Sequence, residues 1–132
     1  MEPSGAIRVL LVDDDEALTK SLSTALQAHG LQVVSAATAA EALALISNPG
    51  VGIDVIVMDL VLPDSWGSLV AMERTLYRPD TPVVYISGYA RGDAVLAASS
   101  AGDDHPFLEK PFTPGELATV VRRVFQEAGE AD

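Results

Sequence analysis

The sequence contains no cysteine, and only 8 of its 132 residues are Lys or Arg. The first absence removes disulfides, thiolate metal centres and thiol nucleophiles. The second stands against 19 Asp and Glu, a net charge of −11. It argues against direct binding to DNA or RNA, because neutralising a phosphate backbone takes Lys and Arg. Long apolar runs are missing too. Residues 7–12 are interrupted by Arg8 and fall far short of a membrane span or a signal peptide. A hydrophobic share of 48% is nevertheless too high for a disordered acidic chain. The length suits one domain. The expectation is a single globular domain in the cytoplasm, with neither nucleic acid nor a membrane as a direct partner.

What is present is an alternation. Residues 1–6 read as a tail, with Pro3, Ser4 and Gly5 as loop formers. Residues 7–12 are a buried strand that stops at Asp13-Asp14-Asp15-Glu16. Leu18, Leu22, Ala25, Leu26 and His29 then recur at helical spacing, and Gly30 ends that helix. A second short strand covers residues 31–35. Thr38 and Glu41 form a capping box for a helix carrying Ala42, Leu43 and Ile46. A third strand, residues 55–58, ends in Asp59. Leu69, Met72 and Leu76 mark the face of a third helix. Residues 83–86 are a fourth strand ending at Ser87. Residues 91–101 are a weak helical segment, rich in Ala and Ser. Residues 107–109 are a fifth strand. Thr113 and Glu116 cap a last helix, with Pro114 at its first position and Leu117, Val120, Val121, Val124 and Phe125 on one face. Strand followed by helix five times predicts an α/β fold: a doubly wound, five-stranded parallel sheet with five helices on its two faces. The domain is expected over residues 7–128, with 129–132 as a second tail.

In such folds ligands bind beyond the C-terminal strand ends. There the sequence places Asp13 and Asp14, Asp59, Ser87, and Lys110 just after the fifth strand. Like-charged carboxylates about 4 Å apart repel by about 4 kcal/mol at an effective dielectric near 20. A divalent cation relieves this, and oxygen donors without Cys or His favour Mg²⁺ or Mn²⁺ over zinc. Asp13, Asp14, Asp59 and Lys110 together carry a charge of about −2, which one such cation brings to about zero. A phosphate dianion is then no longer strongly repelled. Carboxylates, a cation, a Lys and a hydroxyl suit phosphoryl transfer, with one carboxylate as nucleophile.

Four stretches in order carry a more specific signal. They are Leu11-Val12-Asp13-Asp14-Asp15-Glu16, Val57-Met58-Asp59-Leu60-Val61-Leu62-Pro63-Asp64-Ser65-Trp66-Gly67, Val84-Tyr85-Ile86-Ser87-Gly88-Tyr89-Ala90 and Phe107-Leu108-Glu109-Lys110-Pro111-Phe112. With them the chain resembles the receiver domain of two-component response regulators. The resemblance implies a flavodoxin-like sheet of strand order 2-1-3-4-5. It implies that Asp59 accepts a phosphoryl group from the phosphohistidine of a sensor histidine kinase or a histidine phosphotransfer protein. It implies that Asp13, Asp14, Asp59 and the backbone carbonyl of Val61 hold Mg²⁺, Asp13 through water. Ser87 and Lys110 are to contact the phosphoryl group, Ser87 and Phe107 are the switch residues, and the Lys110–Pro111 bond is cis. Val61 and Tyr89 flank the phosphate and tune its lifetime. The domain then catalyses its own phosphorylation and dephosphorylation, acts on no external substrate, and changes its binding face for an output partner or a fused domain.

Asp15 and Glu16 read as acids at a helix N-terminus, favoured by the helix dipole. Trp66 reads as a packing residue or a partial lid, and Arg122 and Arg123 as a solvated helix face. Residues 93–106 depart from the family pattern, and the weak fourth helix together with Ser87-Gly88-Tyr89-Ala90 is similar to the receivers of hybrid histidine kinases. With no output domain after the last helix, the expectation is a stand-alone receiver or one cut from a larger protein. Two rivals remain. A haloacid dehalogenase-like phosphatase shares Asp13-x-Asp15, Ser87 and Lys110, but has Thr or Val where Ala17 stands and its acids after the Lys, whereas Asp103 and Asp104 precede Lys110. An interaction module that is never phosphorylated is the other.

Overall fold

The computed structural model describes residues 6–88 and 105–130. Its strands are β1 (Arg8–Val12), β2 (Gln32–Ala36), β3 (Val55–Asp59), β4 (Val83–Ser87) and β5 (Phe107–Glu109). All pair in parallel, in the order β2-β1-β3-β4-β5. Four α-helices lie among the described residues: α1 (Glu16–Ala28), α2 (Ala39–Ile46), α3 (Gly67–Glu73), continued by a 3₁₀ turn at Arg74–Leu76, and α4 (Pro114–Glu130). The expected fourth of five helices, at 91–101, lies outside the described residues, as do Tyr89, Asp103 and Asp104.

Strand alternation explains why the runs are almost wholly apolar. Leu10, Val12, Ile56, Met58, Val83 and Tyr85 point into one core, shared with Ala42 and Ile46 of α2 and Val70 and Ala71 of α3. Their neighbours Val9, Leu11, Val55, Val57, Val84 and Ile86 point into the other, shared with Leu22 and Leu26 of α1 and Leu117, Val121 and Val124 of α4. Each face of the sheet is covered over β1, β3 and β4, so their inner positions are apolar, whereas the edge strand β2 carries Gln32 and Ser35 exposed.

The helix boundaries follow their caps. Asp15 is the N-cap of α1, its carboxylate accepting the Leu18 amide at 3.0 Å. Gly30 turns the chain after α1 with φ +85°, a conformation that a side chain disfavours. Thr113 and Glu116 exchange hydrogen bonds, Glu116 N–H to Thr113 Oγ1 at 3.1 Å and Thr113 N–H to Glu116 Oε1 at 2.7 Å. In α2 the box is displaced. Thr38 accepts the Glu41 amide as expected, but Glu41 reaches back to the Ala37 amide, one residue before the cap. Arg122 is not wholly given to solvent: it donates to the His29 carbonyl and ties α4 to the end of α1.

One helical face is reversed. Leu69, Met72 and Leu76 point outward, with Leu76 76% exposed, while Gly67, Ser68, Val70, Ala71 and Arg74 are buried. The small residues decide this. With Gly67, Ser68 and Ala71 on its inner side, α3 lies closer to the sheet than large side chains would permit. A Cβ on Gly67 would stand 2.1 Å from the Asp59 carbonyl oxygen and 2.8 Å from Met58 Cγ.

Candidate functional site

The strand register assembles the site. Val12 of β1 lies beside Met58 of β3, so the residues that follow, Asp13 and Asp59, emerge side by side. β1 and β3 are also where the strand order reverses, since β2 lies on one side of β1 and β3 to β5 on the other. Asp59 is opposite Ile86 in the β3–β4 pairing, which brings the next residue, Ser87, to the same edge. Ser87 in turn accepts the Lys110 amide on its carbonyl at 2.7 Å, and this bond fixes where the lysine leaves β5. The Lys110–Pro111 peptide bond is cis.

The charges meet at the lysine. Lys110 Nζ donates to Asp13 Oδ2 at 2.8 Å and to Asp59 Oδ2 at 3.1 Å. The second oxygen of each carboxylate takes a backbone amide, Asp15 N–H to Asp13 Oδ1 at 2.9 Å and Val61 N–H to Asp59 Oδ1 at 3.0 Å. Asp13 and Asp59 are buried, whereas Asp14 is exposed. One carboxylate oxygen from each of the three lies within 4.8 Å of the others. Burial pushes the Asp59 carboxyl up from its ordinary 3.8, against the Val61 amide and the Lys110 charge, and the Asp13 charge adds to the rise. Burial also weakens the Lys110 cation, but the hydrogen bond to Asp13 and the two carboxylate charges outweigh it and hold its pKa above 10.5. The lysine is therefore a fixed positive charge at any physiological pH.

Asp14, Asp59, Val61, Leu62, Pro63, Ser87 and Gly88 line one open cleft of about 450 Å³. Phe107 stands apart from this group: it is half-buried and packs on the α2–α3 side of the sheet. Asp15 is also outside it, since its carboxylate caps α1. Trp66 is exposed, precedes α3, and pairs with Val61 in an isolated antiparallel bridge.

Two residues of the loop after β3 have structural parts that the sequence pattern concealed. Gly67 presses against the Asp59 carbonyl. Asp64 accepts the Ala39 and Ala40 amides of α2 at 2.8 and 3.1 Å, and these two bonds hold its carboxyl below 3.8. Pro63-Asp64 announces a turn, but nothing local announces a partner 24 or 25 residues away.

The model of the response regulator receiver domain matches residues 9–122. The chain belongs to this family. A receiver domain protein from Methanospirillum hungatei JF-1, described as CheY-like, superposes with a TM-score of 0.86 at 30% identity, covering 97% of this chain and all of that one. The sensor kinase CckA of Brucella abortus is 36% identical over 124 residues, 94% of this chain but 13% of the kinase. The response regulator SaeR of Staphylococcus aureus is 29% identical over 83% of this chain and 46% of its own length. The chain thus spans less than half of the curated relatives it matches. It is a receiver domain of two-component signalling, with the sheet order and the acid cluster at the strand ends that the resemblance implied. Among the described residues no helix is long and apolar enough to cross a membrane.

Proposed function

We propose that this receiver takes a phosphoryl group on Asp59 from the phosphohistidine of a sensor histidine kinase or a histidine phosphotransfer protein in the cytoplasm, in a reaction that requires Mg²⁺ or Mn²⁺. The observation that carries this reading is the convergence of Asp13, Asp14 and Asp59 within 4.8 Å, with Lys110 bonded to two of them. Three hard carboxylate donors without sulfur or imidazole fit a small divalent cation. Asp13, Asp14, Asp59 and the Val61 carbonyl are the groups to hold it, and when bound it neutralises charge on the phosphoryl oxygens.

The remaining chemistry falls to the chain. An Asp59 carboxylate oxygen attacks phosphorus and forms the P–O bond of an acyl phosphate. The P–N bond of the phosphohistidine breaks, and its electron pair returns to the imidazole. Asp59 reacts as its carboxylate, the form that the Val61 amide and the Lys110 charge favour against burial. Lys110 keeps its charge throughout and is already aimed at Asp59. Ser87 ends β4 and lines the same cleft, which supports it as the hydroxyl that bonds the transferred group. Phosphorylation then favours one of two pre-existing states of the domain, with Ser87 and Phe107 as the residues that move.

The test is incubation with acetyl phosphate and Mg²⁺, followed by mass mapping. One phosphoryl group is expected on Asp59, and none in Asp59→Asn or in the presence of a chelator. Label on Asp13 with turnover of phosphate esters would overturn the reading. Lifetime is a second expectation. Apolar Val61 lines the cleft and, with Tyr89, is to shield the acyl phosphate from water. A polar residue at either position, Val61→Asn first, is expected to speed dephosphorylation several-fold. An unchanged or longer half-life in a phosphate-release assay removes the shielding role.

A further inference from the structure

The loop between β3 and α3 is held at both ends. At its base Gly67 N–H donates to the Leu60 carbonyl at 2.8 Å, and Val61 pairs with Trp66. Near its tip Leu62 N–H donates to the Ser65 carbonyl at 3.0 Å, which folds residues 62–65 into a turn. Asp64 stands at that tip, and its two carboxylate oxygens take the Ala39 and Ala40 amides separately. A two-point bond of this kind fixes direction as well as distance.

The start of α2 already has caps of its own. Thr38 Oγ1 takes the Glu41 amide, the Thr38 carbonyl takes the Ala42 amide, and Glu41 takes the Ala37 amide. Asp64 serves the two amides that remain in that first turn, so its distinctive effect is to join two segments. The other acid-bearing loop is fastened to the same corner, because Asp13 N–H donates to the Ala36 carbonyl at 3.1 Å. Residues 36–40 thus hold both sides of the acid cluster: the Asp13–Asp14 side through Ala36, and the Asp59–Val61 side through Asp64.

We propose that Asp64 is a positioning residue, a strut that holds the Asp59–Val61 loop in its cation-binding geometry against α2 and couples occupancy of the site to the start of that helix. This rests on the proposed Mg²⁺-dependent function. The coupling is reciprocal, since a bond that favours cation binding must itself be favoured by it. The lowered pKa of Asp64 keeps the strut charged at neutral pH.

The experiment is a Mg²⁺ titration of the whole chain followed by amide NMR, with amide exchange read at Ala39 and Ala40. Asp64→Ala is expected to raise the Mg²⁺ Kd about three- to tenfold, the low end of what supporting residues of metal sites contribute. Asp64→Asn, which keeps one carbonyl oxygen, is expected to fall between. In the acetyl phosphate reaction Asp64→Ala should need correspondingly more Mg²⁺ while its rate at saturating Mg²⁺ stays within about twofold of the parent. Ala39 and Ala40 amides of the parent should exchange more slowly once Mg²⁺ is bound. Thr38→Ala is the control: it removes a cap of α2 without touching the loop, so it should lower stability and shift the Kd clearly less than Asp64→Ala does. If Thr38→Ala and Asp64→Ala shift the Kd equally, or neither shifts it, Asp64 is a helix cap and the strut is overturned. If the parent binds no Mg²⁺ at all, the proposed function falls first and the strut with it.

Discussion

Lys110→Met is expected to lower stability by about 2–3 kcal/mol at neutral pH in the presence of a chelator, and to recover much of that loss with Mg²⁺. The substitution keeps the aliphatic stem and removes the charge. It leaves Asp13 and Asp59, both buried and both bonded to Nζ in the parent, facing each other without a cation. Breaking one side of a buried pair costs about 3–5 kcal/mol, but Lys110 is one-quarter exposed and water screens part of the interaction, which brings the loss to the lower figure or below it. The pH dependence has a definite sign. Lys110, with its pKa raised, contributes stability fully present below 10.5 and lost only as the pH rises through the higher folded value. Asp59, also raised, is most easily accommodated when protonated. The gap between parent and variant should therefore be widest at neutral pH and should close as the pH is lowered toward 3.8. Urea unfolding at several pH values measures it. A gap that is constant with pH, or a variant that gains no more from Mg²⁺ than the parent, contradicts this account of the cluster.

Gly67→Ala is expected to destabilise the domain by about 3 kcal/mol or more, equivalent to a Tm lower by about 10 °C for a chain of this size. The reason is steric and not conformational, since among the described residues Gly30 is the glycine with positive φ. The added Cβ would lie 2.1 Å from the Asp59 carbonyl oxygen and 3.0 Å from its carbonyl carbon. These are backbone atoms of a central strand and cannot rotate aside, so either α3 lifts from the sheet or β3 shifts. Either movement displaces Asp59. Thermal unfolding and the acetyl phosphate reaction should both register it, whereas Gly115→Ala, where a new Cβ would meet His29 and Thr113 at 3.9 Å, should change stability little. A stable, fully reactive Gly67→Ala protein would mean that α3 sits farther from β3 than described.

Much of the site was legible because strand ends are abrupt. A run such as Val9 to Val12 must stay apolar while both faces are covered, so the first acids after it, Asp13 and Asp14, mark the point where the strand leaves the core. Asp59 and Ser87 close their strands in the same way. The caps at Thr38 and Thr113 were legible because both partners lie within a few residues of each other. The orientation of α3 was not. Leu69, Met72 and Leu76 have helical spacing, but so do Gly67, Val70, Ala71 and Arg74. Periodicity cannot say which stripe faces inward when the inner one is made of small residues and the available space is set by β3. Arg78 was equally opaque. Its guanidinium donates to the Ile46, Asn48 and Val51 carbonyls, acceptors that every residue carries and no sequence pattern marks.

By itself the sequence determined the alternation of strands and helices, the shared strand-end edge, and the residue types that meet there. Those properties follow from local periodicity, capping and the exclusion of charge from a sheet covered on both faces. The tertiary structure alone decided the neighbours. It set Asp13 beside Asp59 through the β1–β3 register, bonded Lys110 to both, and brought Asp64 to α2. Each of these depends on a distance between segments far apart in the chain, and such distances arise only when the two cores close on the sheet.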